Sequence, residues 1–285
     1  MRTIHERMEV DLKLGGYSPA TRKIYLLYVR LFAKYYKRSP EDMGEDEIRT
    51  YLLYLIEQRH ASRATIRQVR AALSFLYSIT LHRPVEVAHV PVMRQQHRLP
   101  QVLSGREVAA LFDAVASPKY RAILMALYGG GLRIAEACRL QVEDIDSKRM
   151  VIRVRAGKGG KDRYTLLPVR LLNDLRTYWV KFRPRPWLFP GYTEAGHASP
   201  DTVRLVFRQV LAASGIKKKV TPHVLRHCFA THLLESGNDI NLVKVLLGHG
   251  SLRATEVYAH VSIEHIGRTT SPLDLLGTPS AAVLG

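Results

Sequence analysis

The sequence predicts a mainly α-helical protein with a small β-hairpin, built from an N-terminal four-helix domain and a C-terminal α+β domain. The chain has 285 residues, more than one hydrophobic core usually organises, so two compact domains are expected. Apolar residues recur every three or four positions through most of both halves, which is the spacing of amphipathic helices. This periodicity stops between residues 82 and 100, where three prolines fall, and the break separates the two halves.

Four helices are expected in the first domain, residues 1–83. The first is short and ends before Gly15, the second starts at Ser18-Pro19, and the third starts at Ser39-Pro40. A capping residue followed by proline is the favoured order at a helix start. In the second helix, the apolar residues at helical spacing are Ile24, Leu27, Tyr28, Leu31, Phe32 and Tyr35. In the third helix they are Ile48, Leu52, Leu55 and Ile56, and in the fourth helix Ile66, Val69, Leu73, Leu76 and Tyr77.

Three arginines of the fourth helix lie on the face opposite its apolar residues. Arg63, Arg67 and Arg70 fall at i, i+4 and i+7, and this spacing puts them on one side of a helix. A solvated face is the alternative, but such faces usually mix charges of both signs and no carboxylate is interleaved here. An extended basic linker is expected over residues 84–100, where Arg94 and Arg98 are further candidates for contact with an anionic partner.

The net charge favours nucleic acid as that partner. The chain carries +18, with 17 Lys and Arg against 10 Asp and Glu up to residue 100 and 26 against 15 beyond it. This exceeds the roughly 2–8 charges that solubility of a small domain requires, whereas binding to a polyanion uses the excess through counterion release. Cys138 and Cys228 lie in apolar helical patterns, which predicts buried thiols instead of a disulfide. No apolar run reaches signal-peptide or membrane-spanning length, so a cytoplasmic protein is expected.

The second domain, residues 101–268, is expected to open with a capping box made by Ser104 and Glu107. Helical segments over 108–115, 120–128 and 132–138 follow, with Gly129-Gly130-Gly131 as a turn between the last two. From Pro200 to about Ile266 the chain is again expected to be helical. Three glycines mark the helix ends in that stretch: Gly215, Gly237 and Gly248.

A β-hairpin is predicted between these helical stretches. Residues 150–155, Met-Val-Ile-Arg-Val-Arg, and 162–167, Asp-Arg-Tyr-Thr-Leu-Leu, form two short runs on either side of Gly157-Lys158-Gly159-Gly160-Lys161, which is typical of two strands joined by a glycine-rich turn. The turn superficially resembles a P-loop. It lacks the Lys-Ser/Thr pair and joins strand to strand, so ATP binding is not expected.

Two arginines of the second domain lie where a cation needs an anionic partner. Arg226 shares a helix face with apolar residues, which calls for an anion beside it, and His223 lies one turn before it. Arg133 follows the triple glycine at a helix start, where close backbone approach and free amides favour anions. A cation there is unfavourable unless an anion approaches. The anion beside Arg133 is then either a phosphate or the carboxylate of Glu136, three residues further along the chain.

A third segment adds His249, held between two glycines, and Tyr258 on the helix that follows. Together these segments resemble the tyrosine recombinase (phage integrase) family, and most closely its Xer-like and integron-type members. The resemblance covers about residues 5–265. It rests on Gly-Leu-Arg-Ile-Ala-Glu, the hairpin lysine, His-x-x-Arg, Leu-Gly-His and the tyrosine nine residues later, which assigns the catalytic set Arg133, Lys158, His223, Arg226, His249 and Tyr258.

The resemblance implies a SAM-like N-terminal DNA-binding domain, a catalytic α+β domain, and site-specific recombination of DNA through a 3′-phosphotyrosine intermediate. Tyr258 would be the nucleophile, and Lys158 the acid that protonates the leaving 5′-oxygen, with Lys161 as the alternative acid. Neither a metal nor a nucleotide cofactor is expected. The implied partner is double-stranded DNA with inverted half-sites, bound by a dimer on one site and a tetramer in synapsis, with an accessory protein as a further partner.

Three alternatives compete with this prediction. A type IB topoisomerase would use the same chemistry to nick and reseal one strand, and a DNA-binding regulator with a vestigial site would not react at all. The spacing of His223, His227 and His232 suggests a metal site, but a third ligand at the usual spacing is missing.

For the tail, residues 269–285, the resemblance implies docking on a neighbouring protomer through Leu273, Leu275 and Leu276.

Overall fold

The computed structural model describes residues 3–84, 88–90, 101–155, 162–192, 196–248, 266 and 269–276. The chain divides into two compact units, Met1–Arg98 and Leu99–Gly285, and each unit contains hydrophobic core residues of its own. Within the described part, no helix combines the length and apolar character that crossing a membrane requires. The boundaries 1–83, 84–100 and 101–268 remain predictions.

The described part of the first unit is helical. Helix α1 spans Ile4–Leu14, α2 Pro19–Tyr36, α3 Glu45–Glu57 and α4 Arg63–Phe75, and α4 continues into a π-helical turn over Leu76–Thr80. Ser18 caps α2 as predicted, since its hydroxyl accepts from the backbone of Thr21. The second start signal is wrong: Ser39-Pro40 opens only a 3-10 turn over Pro40–Asp42, and α3 begins later, with Gly44 as its N-cap.

The buried face of α2 differs from the predicted one. Leu26, Val29 and Phe32 are buried, whereas Leu31 and Tyr35 are among the exposed large hydrophobic residues. Helix α2 packs against both α1 and α4, and apolar residues cover more than half of its circumference. Periodicity therefore identifies the helix, but the choice of face is made by the two neighbours.

The second unit combines helices with a three-stranded antiparallel sheet. Three helices come first: α5 (Gly105–Asp113), α6 (Pro118–Gly129) and α7 (Ile134–Cys138). The strands follow: β1 (Ile145–Asp146), β2 (Val151–Val154) and β3 (Arg163–Leu166). Four more helices complete the unit: α8 (Val169–Phe182), α9 (Pro200–Ala213), α10 (His223–Glu235) and α11 (Ile240–Leu247). The sheet order is β1-β2-β3, with Ile145 opposite Ile152 and Val151 opposite Leu166.

Most predicted elements of this unit are confirmed. Ser104 and Glu107 form the capping box, β2 pairs with β3 as the predicted hairpin, and the glycines after α9, α10 and α11 adopt positive φ. Both cysteines are free and buried, and burial raises the pKa of the Cys138 thiol to about 11. Strand β1 and helix α8 lie outside the predicted elements. Two residues are too few to show periodicity, but buried residues at helical spacing would have predicted α8.

The C-terminal segment docks on its own domain. Leu273 is fully buried in the core of the second unit, and the Ser271 hydroxyl donates to the Gly129 carbonyl at 2.8 Å. The Asp274 carboxylate accepts from the backbone nitrogens of Val169 and Arg170 at 3.0 and 2.9 Å, which satisfies free amides in the first turn of α8. Leu273 thus packs on its own chain in this structure, and docking of the segment on a neighbouring protomer remains a prediction.

Candidate active site

Two helices carry the part of the predicted site that the structure describes. Arg133 is the N-cap residue of α7, His223 is the first residue of α10, and Arg226 follows it one turn later. Arg133 and Arg226 converge on a common carboxylate, that of Glu136. The Nη1 atom of Arg133 donates to Glu136 Oε1 at 2.6 Å, and Nη1 of Arg226 lies 3.9 Å from Glu136 Oε2.

Gly130 and Gly131 lie between α6, which ends at Gly129, and α7, and they make this convergence possible. A Cβ atom on Gly131 would lie 2.5 Å from Cδ1 of Phe229, and Gly131 itself adopts φ +62°, so only glycine fits there. The glycine thus admits the Phe229 ring close to the backbone, and the close approach of this backbone to an anion remains a prediction. The expectation of free amides is wrong for two of them, because the backbone nitrogens of Gly130 and Leu132 donate to the Ala126 carbonyl at 3.1 and 3.4 Å.

The Arg226 guanidinium is held from two sides. Only 4% of the side chain is exposed, and Nη1 and Nη2 donate to the carbonyls of Gly131 and Leu247. Leu247 ends α11, where the last carbonyls lack helical partners and carry the negative end of the helix dipole. Burial, and then the nearby charge of Arg133, lower the pKa of Arg226 to about 10. Arg226 therefore stays cationic at neutral pH.

Glu136 binds more partners than the sequence suggested, since the sequence indicated only Arg133 as its partner. It also accepts from the Arg133 backbone nitrogen at 2.8 Å and from both terminal nitrogens of Arg163, at 3.1 and 2.8 Å. Burial alone would raise the pKa of Glu136, but the hydrogen bonds and charge of Arg163 and Arg133 outweigh it and lower the pKa to about 2. Glu136 is therefore ionised throughout the physiological range.

The balance of charge in this cluster favours an anionic ligand. Among the described residues, three guanidiniums, those of Arg133, Arg163 and Arg226, surround the single carboxylate of Glu136. One carboxylate cannot neutralise three cations, and a buried surplus of positive charge is costly unless an anion joins it. Arginine forks match phosphate oxygens in geometry and charge. The arrangement can thus hold a phosphate.

Arg163 and the terminal carbonyls of α11 are site components that sequence reasoning missed. The only signal was alternation along the predicted strand, which puts Arg163 on the same face as Thr165, a residue that is fully buried. Nothing in the local pattern indicates that Arg163 would reach Glu136, because the two residues are 27 positions apart.

The three histidines of the candidate metal site do not form one group. His223 and His227 are both exposed, with ring centroids 4.7 Å apart and planes at 82°. His232 instead contacts Tyr128, with 2.8 Å between Nδ1 and the hydroxyl. Within the described ranges no group of three or more His, Cys, Asp or Glu side chains is placed to hold a metal ion.

Several predicted residues lie outside the described part of the chain: Lys158, His249 and Tyr258 of the catalytic set, and Arg94 and Arg98 of the DNA-binding set. Of the other DNA-binding candidates, Arg63 and Arg67 are exposed on α4. Arg70 is partly buried, and its Nε and Nη2 donate to the Val90 carbonyl at 3.2 and 2.9 Å. The assigned functions of all these residues remain predictions.

Comparison with known proteins decides the family. Residues 101–265 match the phage integrase family, and residues 4–87 match its N-terminal SAM-like domain. The chain belongs to the phage integrase family. This confirms the resemblance drawn from the sequence, together with the enzyme class, a tyrosine recombinase, and the fold class, a SAM-like helical domain joined to an α+β catalytic domain.

Relatives and solved structures support the same assignment along nearly the whole recombinase. The Sinorhizobium fredii protein y4qK is 42% identical over 284 residues, covering 98% of this chain and 91% of y4qK. Tyrosine recombinase XerA of Pyrococcus furiosus is 33% identical over 276 residues, covering 95% and 94%. A crystal structure of XerA recombinase aligns with TM-score 0.50 and 29% identity, covering 91% and 93%.

The fold is also that of lambda integrase. A lambda integrase (75–356) dimer bound to a COC′ core site aligns with TM-score 0.72 at 20% identity, covering 87% of this recombinase and 94% of that chain. At this identity the match concerns the fold alone.

Proposed function

We propose that this recombinase cleaves and rejoins DNA at a specific site through a 3′-phosphotyrosine bond to Tyr258, with Arg133 and Arg226 holding the scissile phosphate. The observation that carries the proposal is the arginine cluster around Glu136, which gathers more positive charge than its one carboxylate can balance. Family membership supplies the reaction class, and the cluster supplies a place for the phosphate.

The arginines act on the charge that develops during attack. As the Tyr258 oxygen bonds to phosphorus and the bond to the 5′-oxygen breaks, negative charge grows on the non-bridging oxygens. Guanidinium donors already in position stabilise that charge without reorganising. The two carbonyls that fix Arg226 provide such preorganisation. By analogy with arginine fingers, each arginine is worth on the order of 10³ in rate.

Proton transfers complete the cycle. A tyrosine hydroxyl has an ordinary pKa near 10, so Tyr258 must lose its proton as it attacks, and His223 is the proposed acceptor. Lys158 donates a proton to the departing 5′-oxygen, and His249 adds a hydrogen bond to the phosphate. The phosphotyrosine retains the energy of the broken bond, so the reverse attack by a 5′-hydroxyl rejoins the strands without a nucleotide.

The proposed partner is double-stranded DNA with inverted half-sites, bound by a dimer on one site and by a tetramer in synapsis. Five arginines of the first unit would contact its backbone: Arg63, Arg67, Arg70, Arg94 and Arg98. The charge of +18 supports this, because phosphate contacts account for most non-specific affinity. We further propose a linker over residues 84–100 that joins a DNA-binding domain to the catalytic domain, and action in a prokaryotic cytoplasm on nucleoid DNA.

Tyr258→Phe tests the chemistry. Nicked suicide duplexes, tiled across the DNA that flanks the gene, are incubated with the full chain and scored for covalent adducts and then for strand exchange. The phenylalanine variant should form no adduct while binding the same duplexes with unchanged affinity. An adduct that survives the substitution would refute the assignment of Tyr258. Adducts of the unaltered protein without strand exchange would indicate a type IB topoisomerase.

A further inference from the structure

Arg163, one of the three guanidiniums around Glu136, has no step of its own in the chemistry proposed above. Arg163 is the first residue of β3, and 11% of its side chain is exposed. Taking a guanidinium out of water costs free energy unless its donors find partners. The partners of Arg163 therefore indicate what the residue does.

Arg163 ties β3 to two other elements. Its two terminal nitrogens donate to the two oxygens of Glu136 at 3.1 and 2.8 Å, a bidentate geometry that is among the strongest ion-pair arrangements in proteins. Its Nε donates to the carbonyl of Leu246 at 3.1 Å, in the last turn of α11. A single side chain thus bonds to the first turn of α7 and to the end of α11.

A second, independent observation comes from Gly248. A Cβ atom at this position would lie 2.7 Å from Cδ and 2.9 Å from Nε of Arg163, so Arg163 packs directly against the backbone of Gly248. Gly248 also adopts φ +63°, which ends α11 in the left-handed region. Glycine at position 248 therefore allows α11 to end in the left-handed conformation and also leaves space for the Arg163 side chain.

These contacts connect the segments that carry the predicted catalytic residues. Glu136, which accepts hydrogen bonds from Arg163, also accepts one from Arg133. Its Oε2 atom lies 3.9 Å from Nη1 of Arg226. In the sequence, Arg163 comes five residues after Lys158, and His249 directly follows Gly248.

We propose that Arg163 is a positioning residue of the recombinase, which holds Glu136 and the turn at Gly248 so that the phosphate-binding side chains converge. It acts through Glu136 and the α11 terminus, and it does not bind DNA itself. The inference rests on the proposed function, because its effect is expressed in the rate of Tyr258 attack. A lysine cannot replace it, since one ammonium lacks the planar fork that reaches both Glu136 oxygens and Leu246 together.

The test separates the rate of attack from DNA binding. Arg163→Met and Arg163→Lys are compared with the unaltered chain on the tiled suicide duplexes, by the single-turnover rate of adduct formation at saturating DNA and by Kd. Displacing reacting groups by about 1 Å costs roughly 100-fold in rate, so Arg163→Met should slow adduct formation about 100-fold while Kd changes less than about 3-fold. Arg163→Lys should remain at least about 10-fold slow, because it restores the charge without the fork.

Arg121→Met is the matched control. It removes an arginine that pairs with Asp174 at 3.4 Å in the same unit and shares no residue with the Glu136 cluster. Its rate should stay within about 3-fold of the unaltered chain, as expected for a partly exposed ion pair.

A double variant tests the route of action. If Arg163 acts through Glu136, then Glu136→Gln combined with Arg163→Met should be no slower than the slower single variant, because residues that act as a unit are not additive. Multiplied losses would contradict the route through Glu136. Thermal unfolding verifies that each variant is folded; if Arg163→Met is not, Arg163→Lys decides the question.

Three further outcomes overturn the inference. The first is a folded Arg163 variant that forms the adduct as fast as the unaltered chain. The second is an Arg163 variant whose Kd for DNA rises in parallel with its loss of rate, which would show that Arg163 contacts the DNA. In both cases the adduct formed by the unaltered chain leaves the proposed function standing. The third is an unaltered chain that forms no adduct on any duplex, which overturns the proposed function and this inference together.

Discussion

Two groups of arginines, one in each unit, are held in opposite ways. In the catalytic unit, Arg226 is buried to 4% exposure, and backbone carbonyls fix its guanidinium. In the N-terminal unit, Arg63 and Arg67 are exposed on α4, and within the described ranges neither forms an ion pair. Arg70 on the same helix is intermediate, since it donates twice to the Val90 carbonyl.

This difference separates two uses of the same side chain. A fixed guanidinium stabilises developing charge because it needs no reorganisation when the charge appears. An exposed guanidinium attracts a polyanion and releases its counterions, and the strength of that effect falls with added salt. Substitutions in the first group should therefore change rate and stability, and substitutions in the second should change affinity and its salt dependence.

The largest effect is expected at Arg226. Arg226→Lys keeps the charge but cannot donate to the Gly131 and Leu247 carbonyls and to a phosphate in the geometry of a fork. The rate of adduct formation on the suicide duplexes should fall on the order of 10³-fold, with a much smaller change in Kd for DNA. A lysine variant with the original rate would show that fixed geometry is not what distinguishes the catalytic arginines.

Glu136→Gln tests the stability of the same cluster. The folded-state pKa of Glu136 is about 2 against an ordinary 4.5, so its stabilising contribution is fully present above pH 4.5 and is lost as pH falls toward 2. At pH 7 the glutamine variant should lower the free energy of unfolding by on the order of 3 kcal/mol. Urea unfolding at pH 7 and pH 3 measures this difference, which should be smaller at the lower pH.

Glu41→Gln is the matched control for that experiment. Glu41 pairs with Arg7 in the N-terminal unit, and both side chains are more than 40% exposed, so the substitution should change the free energy of unfolding by less than about 1 kcal/mol. A Glu136 effect as small as this, or one of equal size at both pH values, would contradict the account of the cluster.

The smallest effects are expected on α4. Arg63→Ala and Arg67→Ala should each weaken DNA binding and reduce the slope of log K against log salt by about 1, with the free energy of unfolding within about 0.5 kcal/mol of the original. Arg70→Ala sharpens the comparison, since it should also destabilise the protein by about 1 kcal/mol through its bonds to Val90. Salt titrations of binding and urea unfolding distinguish the two classes.

The predictable part of the fold is the part encoded locally. Caps and proline starts located α2 and α5, alternation located β2 and β3, and glycines located the helix ends, because each of these signals acts within a few residues. The failures arose where a local signal did not decide the outcome. Ser39-Pro40 is a start signal that tertiary context reduced to a 3-10 turn, and α2 has apolar residues on too many sides for periodicity to choose its buried face.

The candidate site shows the same division. Arg133, His223 and Arg226 could be named from the sequence because each stands in a short, recognisable segment, and charge alone indicated a polyanionic partner. Glu136 could be suggested only as a neighbour of Arg133. Its bonds to Arg163, the carbonyls of α11 around Arg226, and the docking of Leu273 on its own domain join residues that are far apart in the chain. Only folding brings such groups within hydrogen-bond distance, so the tertiary structure alone decided how the arginines are held.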